Sequence, residues 1–153
     1  MAEPTPYLQG VRVLDFIQYL AGPSCTRLMA EMGADVIKVE IAPSGDPTRI
    51  GSPRRDHRPG YFVQQNRGKR SLCMDLRRPE AVDAIKALIP TIDVVVENYS
   101  AGVMARRGLG YDVLSEINPR LMMASVSGFG RPGRCRTRRA STSSPRRSPA
   151  SCT

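Results

Sequence analysis

Short apolar runs alternate with amphipathic stretches along most of the chain. Residues 11–16 and 34–40 are rich in β-branched and apolar side chains, which predicts two buried strands. Between them, Pro23 suits the first turn of a helix over residues 24–32, and Gly33 suits its end. A β-α-β order of this length has the size of one parallel crossover unit.

The same alternation continues to residue 126. We expect further strands over 71–74, 93–98 and 121–126, and helices over 79–88, 103–107 and 112–117. The valine run 94–96 is typical of a strand that is covered on both faces of a parallel sheet. Residues 43–60 are rich in Pro, Gly, Arg and Asp and are expected to form a loop. Strands that alternate with helices predict an α/β fold, with a Rossmann-like, doubly wound parallel sheet and flanking helices.

The character of the chain changes after Gly130. Residues 131–153 contain seven Arg, five Ser, three Thr, three Pro and two Cys, with no acidic residue. We therefore divide the chain into a globular part, residues 1–130, and an Arg/Ser/Pro-rich tail, residues 131–153. Nothing in the tail composition can pack a core, so the tail is expected to be disordered.

The net charge of +9 comes mostly from this tail. Seven of the 23 Lys and Arg residues lie there, and residues 1–130 carry the other 16 together with all 14 Asp and Glu residues. A basic tail on a nearly neutral body is a local feature rather than a field over a folded surface. Nucleic acid is therefore not the expected partner. A basic-tail nucleic-acid binder remains an alternative, and it predicts salt-dependent binding that deletion of the tail abolishes.

Cysteine and histidine usage gives no indication of a metal site. Cys25, Cys73, Cys135 and Cys152 show no C-x-x-C spacing, and His57 is the single histidine. We expect Cys25 and Cys73 to be small buried hydrophobes. Without an apolar stretch near 18 residues or a signal-peptide pattern, we expect no membrane partner and a reducing, cytoplasmic setting.

Three segments follow predicted strands, and the carboxyl ends of parallel strands are where α/β sheets bind ligands. Residues 18–23 lead into a helix N-terminus whose free N–H groups suit an anion, although a plain tight turn has the same pattern. Residues 66–77 contain four cations, which suit phosphates or a solvated basic loop. Residues 97–103 offer an amide and a phenol, which suit an adenine or a pantetheine amide, or a helix cap by Asn98 or Ser100.

Other catalytic patterns are missing from the sequence. No Ser/His/Asp set, paired-carboxylate motif or metal cluster stands out, and residues 18–23 do not form a G-x-G-x-x-G dinucleotide motif. Asp15 and Glu40 end buried-looking strands. Structural roles, such as capping or pairing with a nearby Arg, are favoured over catalysis for both.

Taken in order, the segments resemble the N-terminal part of the family III CoA-transferases of the CaiB/BaiF type. The matching stretches are 8–16, 21–23, 28–45, 66–71, 93–99, 108–111, 118–120 and 125–130. The resemblance implies an enzyme that moves CoA between carboxylic acids without a metal, through an Asp nucleophile and anhydride and thioester intermediates. A racemase-like enzyme that moves a proton α to an acyl-CoA thioester is an alternative. Residues 66–71 and 97–99 resemble the formyl-CoA transferases and favour transfer.

The resemblance also implies site residues, with acyl-CoA and a carboxylic acid as substrates. Gln18 occupies the active-site turn, where formyl-CoA transferases have His, and Arg77 replaces a Lys of some relatives. The positions that match family contacts to CoA are Leu20, Ala21, Met74, Asp75, Leu76, Arg77, Asn98, Tyr99, Ser100 and Arg106.

The end of the chain departs from the family pattern. The family's catalytic Asp lies in a G-D motif beyond Gly130 and has no counterpart here, so we expect an inactive N-terminal fragment of a parent that forms interlocked homodimers. A non-catalytic CoA-binding module is a further alternative. Reading residues 134–153 one base out of frame permits P-G-F-D-F-I followed by S-G, as a normal family continuation would have. The tail is therefore interpreted as a frameshift product that begins near Gly133, and the shortened fold is expected to expose a sheet edge.

Overall fold

The computed structural model describes residues 5–20, 22–51, 54–55 and 58–128. The predicted tail, residues 131–153, lies outside the described residues, as do Ala21 and His57. The strands are β1 (Arg12–Asp15), β2 (Asp35–Ile41), β3 (Arg54–Arg55), β4 (Arg58–Pro59), β5 (Arg70–Met74), β6 (Val94–Glu97) and β7 (Met122–Ser125). The helices are α1 (Pro23–Glu31), α2 (Gly60–Asn66), α3 (Pro79–Leu88), α4 (Val103–Arg106) and α5 (Tyr111–Ile117), with 3₁₀ turns at Pro47–Ile50 and Ile89–Thr91.

Five of these strands form one parallel sheet in the order β5-β2-β1-β6-β7. Leu14 of β1 is paired with Ile37 of β2 on one side and with Val95 of β6 on the other. The chain winds outward from β1 to β5, returns to the centre at β6, and then winds the other way. This is the strand order of a Rossmann-type sheet, so the predicted α/β fold class is confirmed.

Alternate residues of β1 and its continuation face opposite layers of the core. Leu14 and Phe16 pack in the larger cluster, which draws on α3, α4 and α5. Val13 and Ile17 pack in a smaller cluster with residues of α1 and the neighbouring strands. All four side chains are fully buried, because helices cover the central strand on both faces.

The predicted strands and helices begin and end within one residue of the observed ones. Residues 43–60 were predicted as a loop, but they also contain the first 3₁₀ turn and the antiparallel β3-β4 pair. Helix α2 was not predicted at all. Its buried residues are polar, Gln65 and Asn66, and it has no side-chain N-cap, so its sequence lacks the usual helix signals.

The prediction that Cys25 and Cys73 are buried was wrong, since both thiols are exposed. Cys73 lies on β5, which is an edge strand, and Cys25 lies on the solvent side of α1. The edge at β7 is apolar. Met122 of β7 is 62% exposed, and Val113 and Ile117 of α5 are partly exposed.

Candidate functional site

The carboxyl ends of β1 and β6 meet where the winding direction of the sheet reverses. Asn98, directly after β6, binds both backbone groups of Gln18: Asn98 Oδ1 accepts from the Gln18 N–H at 3.0 Å, and Asn98 Nδ2 donates to the Gln18 carbonyl at 2.8 Å. Crevices at such reversals are the usual ligand position in open parallel sheets. Two of the three predicted segments, 18–23 and 97–103, therefore meet.

Tyr99 lies beside this contact, close enough for the Gln18 side chain to act on the pKa of its phenol. Burial raises the pKa of Tyr99, and the charge of Arg107 acts in the opposite direction. The capping alternative for Asn98 and Ser100 was wrong, since α4 begins after Gly102 with no side-chain cap. The Asn98 amide is occupied by Gln18 instead, and Ser100 is exposed.

The basic segment 66–77 is largely neutralised within the chain. Lys69 is fully buried rather than solvated, and burial lowers its pKa while the Asp15 carboxylate opposes that shift. Hydrogen bonds from Arg77 lower the pKa of Asp75 to about 2. Each of the four cations lies against a carboxylate, in the pairs Arg67–Glu31, Lys69–Asp15, Arg70–Asp35 and Arg77–Asp75.

A groove of about 630 Å³ opens between α3 and α4. Leu76, Val82 and Val103 provide its apolar lining, and Asp83 provides a single carboxylate. Four cationic side chains also line it: Arg77, Lys86, Arg106 and Arg107. Tyr99 packs against the apolar cluster that contains Leu76 of the groove wall, so the groove and the cluster around Asn98 are neighbours.

Three of the groove cations differ from the cations of segment 66–77 in their ion pairing. Within the part of the chain that the structure describes, no carboxylate lies at ion-pair distance from Lys86, Arg106 or Arg107. Sequence analysis missed Lys86 and Arg107 as candidate site residues. A single cation on an amphipathic helix, or beside another Arg in a short turn, is also typical of a solvated surface.

The positions that resemble family CoA contacts divide into two groups and several single residues. One group lines the groove: Leu76, Arg77 and Arg106. Asn98 and Tyr99 lie beside Gln18 at the carboxyl ends of β1 and β6. Of the rest, Leu20 is 45% exposed in the turn after β1, Met74 packs against the core, and Asp75 pairs with Arg77. Ala21 lies outside the described residues.

Glu40 and Asp15 have the structural roles expected of them. Arg49 donates to the Glu40 carboxylate from Nε at 2.6 Å and from Nη2 at 2.7 Å, and Ser71 donates a third bond at 2.7 Å. Burial would raise the pKa of Glu40, but these hydrogen bonds outweigh burial and lower it to about 2. Asp15 pairs with Lys69 rather than with an Arg.

The described residues contain no group of three His, Cys, Asp or Glu side chains placed to hold a metal ion. In the same part of the chain, no helix has the length and apolar character needed to span a bilayer.

The sequence model of CoA-transferase family III matches residues 8–143. The chain belongs to this family. A formyl-CoA:oxalate CoA-transferase from Rhodopseudomonas palustris (strain TIE-1) is 48% identical over 132 residues, which cover 84% of this chain and 30% of that protein. A succinyl-CoA:mesaconate CoA-transferase from Haloarcula hispanica is 48% identical over 130 residues, which cover 82% of this chain and 33% of that protein.

Solved structures of the family have the same fold over this region. A CAIB/BAIF family protein from Brucella suis superposes with a TM-score of 0.83 at 38% identity, over 89% of this chain and 37% of that chain. A hypothetical protein from Mycobacterium tuberculosis gives the same TM-score and identity, over 90% of this chain and 38% of that chain. The chain thus spans about a third of the length of the family III proteins that it matches.

Proposed function

We propose that the groove between α3 and α4 binds the nucleotide part of an acyl-CoA, in a protein whose whole length transfers CoA between carboxylic acids. The supporting observation is the local excess of positive charge. Among the residues that the structure describes, Lys86, Arg106 and Arg107 have no ion-pair partner and lie beside an apolar wall, whereas the cations of segment 66–70 are neutralised. Arg and Lys are the usual donors to phosphates, and an apolar wall suits an adenine.

The comparisons support the reaction class at a coarse level, because the relatives named above are CoA-transferases. The particular donor and acceptor acids differ between those relatives. Since the chain spans about a third of their length, the transfer reaction, its carboxylate substrates and a homodimer are proposals for the whole protein.

The groove has a clear use in such a reaction. When an Asp carboxylate attacks the thioester carbonyl, the CoA thiolate leaves and a mixed anhydride forms. The thiolate must then stay bound to attack the aspartyl carbonyl, which releases the donor carboxylate and leaves an aspartyl-CoA thioester for the acceptor carboxylate. Contacts to the distant nucleotide would retain the thiolate, and remote binding of this kind keeps the reacting groups at high effective concentration.

The cluster of Gln18, Asn98 and Tyr99 lies at the carboxyl ends of β1 and β6. It would face the acyl end of the ligand. Gln18, Asn98 and Tyr99 lie where the winding direction of the sheet reverses. Tyr99 is close enough to the groove for the charge of Arg107 to act on its pKa. Their polar groups suit the pantetheine amides and the thioester.

Isothermal titration calorimetry of the purified chain with CoA tests the proposal. We expect Lys86→Ala and Arg106→Ala each to weaken binding by about tenfold through loss of a charged hydrogen bond. Arg70→Ala is the matched control, because Arg70 is equally cationic but lies on the sheet edge and pairs with Asp35. No measurable binding by the parent chain, or equal losses in the control, would contradict the proposal.

A further inference from the structure

The turn between β1 and α1 contains a residue in an unfavourable conformation. Tyr19 has a φ of 67°, in the left-handed region that a residue with a Cβ rarely adopts. Its side chain is also 58% exposed, and the next side chain, Leu20, is 45% exposed. Such strain persists only where the surrounding structure determines it, and it concentrates at functional sites.

The two peptide groups before Tyr19 are held by side chains. Lys38 Nζ donates to the Ile17 carbonyl at 2.5 Å, and Asn98 Oδ1 accepts from the Gln18 N–H at 3.0 Å. That carbonyl and that N–H belong to the same peptide group, so its plane is fixed from both sides. Asn98 Nδ2 then holds the Gln18 carbonyl in the following peptide group.

The chain after Tyr19 is also held. Ser24 Oγ donates to the Leu20 carbonyl at 3.1 Å. Lys69 Nζ donates to the Pro23 carbonyl at 3.1 Å, at the start of α1. Both peptide groups before Tyr19 and the Leu20 carbonyl after it are therefore held, which restrains Tyr19 in the left-handed region.

Both lysines are buried, with side chains 2% exposed for Lys38 and 1% for Lys69. Each is neutralised by one carboxylate at 2.9 Å, Asp46 for Lys38 and Asp15 for Lys69. Buried ion pairs are a poor source of stability, because apolar side chains of similar size stabilise a core at least as well. What an apolar pair would not provide is a third contact, the hydrogen bond from each ammonium group to a carbonyl of the turn.

We propose that Lys38 and Lys69 are positioning residues, which hold residues 18–20 with Tyr19 in its strained conformation and so present Gln18 and the Tyr19 ring to the acyl end of a bound CoA thioester. This inference rests on the proposed function for its ligand. The two ammonium groups come from separate segments, β2 and the residues before β5, and they bind the Ile17 carbonyl before Tyr19 and the Pro23 carbonyl at the start of α1.

Amide hydrogen exchange of the full chain, measured by NMR, tests the positioning without any ligand. The double variant Lys38→Met/Asp46→Asn removes both buried charges and keeps an Oδ1 acceptor for Thr48. We expect the Gln18 amide to exchange about tenfold faster, while amides of the central sheet such as Val95 keep their protection. Arg49→Gln is the control, because Arg49 anchors the loop that contains Asp46 without contacting the turn.

Unchanged Gln18 exchange in the double variant would overturn the positioning role. Equal acceleration at Gln18 and Val95 would overturn it too, because that pattern indicates a general loss of stability. If the double variant does not fold, Tyr19→Gly tests whether the turn is strained, since this substitution removes no buried group. It should raise the melting temperature by relieving strain, and a lower melting temperature would contradict a strained turn.

Binding of succinyl-CoA and of CoA, measured by calorimetry, tests the ligand part. The double variant and Tyr19→Gly should each weaken succinyl-CoA binding by about tenfold and CoA binding by clearly less, because CoA shares the groove and pantetheine contacts but has no acyl group to lose. Equal losses for both ligands would overturn the inference. If the parent chain binds neither ligand, the proposed function and the ligand part fail together, while the exchange experiment still decides whether the lysines hold the turn.

Discussion

The side-chain amide of Asn98 completes the backbone hydrogen bonding of Gln18, which lies 80 residues earlier in the chain. The contact lies just beyond the last residues of β1 and β6, so it acts as one more rung between the two central strands. Since one residue supplies both the donor and the acceptor, its replacement leaves two backbone groups without partners at once.

Asn98→Asp should therefore destabilise the fold. The carboxylate can still accept from the Gln18 N–H, but it places a negative oxygen against the Gln18 carbonyl, which now lacks a donor. We expect a loss of about 2 kcal/mol in the free energy of unfolding, measured by urea denaturation. Ser100→Ala, at an exposed position in the same loop, should change stability by less than about 0.5 kcal/mol. A variant at Asn98 as stable as the parent would show that the paired contact carries no net free energy.

Stability should fall in acid because of Glu40. Its pKa is about 2 in the folded chain against an ordinary value of 4.5, so the unfolded state takes up a proton first as the pH decreases. The contribution is fully present above about pH 5 and is lost between there and about pH 2, with a size on the order of 2 kcal/mol. Glu40→Gln should flatten this part of the stability curve, measured by urea denaturation at several pH values. If Glu40→Gln leaves the pH dependence of stability in acid unchanged, carboxylates other than Glu40 are responsible for it.

Gly22 should not tolerate a methyl group. A Cβ at this position would lie 2.1 Å from Cγ2 of Ile17, which is fully buried, so Gly22→Ala forces one of the two elements to move. We expect a loss of about 2 kcal/mol, measured by urea denaturation. The same substitution should be less costly in an Ile17→Ala background, because the clash is then absent. Equal costs in the two backgrounds would mean that Ile17 is not the obstacle.

The exposed edge strand should make the chain prone to association. Met122 of β7 is 62% exposed, and apolar edge strands pair with other chains. Met122→Lys should reduce the apparent mass in light scattering while changing stability by less than about 0.5 kcal/mol. Gln64→Lys adds the same charge on the exposed side of α2 and serves as the control. If both substitutions reduce association equally, net charge rather than the β7 edge is responsible.

The sequence was sufficient to predict the helices and strands whose buried side chains are apolar and whose ends are marked by Pro or Gly. Helix α3 begins at Pro79, and α1 is followed by Gly33, which has a φ of 99°. Helix α2 could not be predicted in this way, because its contacts are polar: Gln65 Oε1 accepts from Ser24 Oγ at 2.8 Å. A polar residue at the end of a short helix has the same sequence pattern whether it is buried or exposed.

For the candidate site, the sequence predicted which segments lie close together, because parallel strands bring their carboxyl ends to the same side of the sheet. That Gln18 and Asn98 lie near each other follows from strand direction, but the bidentate contact does not. The burial of Lys69 was also beyond reach, since its neighbours in the chain are polar and charged. Its environment depends on Asp15, 54 residues away, and only the folded chain brings that carboxylate to it.

The central position of β1 has a consequence for how the chain is made. Leu14 is synthesised about 80 residues before its partner Val95. At about 5–20 residues per second, the first strand waits roughly 4–16 seconds for its second neighbour. During that interval the edge of β1 next to the buried Val13 and Leu14 is open, so the nascent chain is a natural client for a ribosome-associated chaperone.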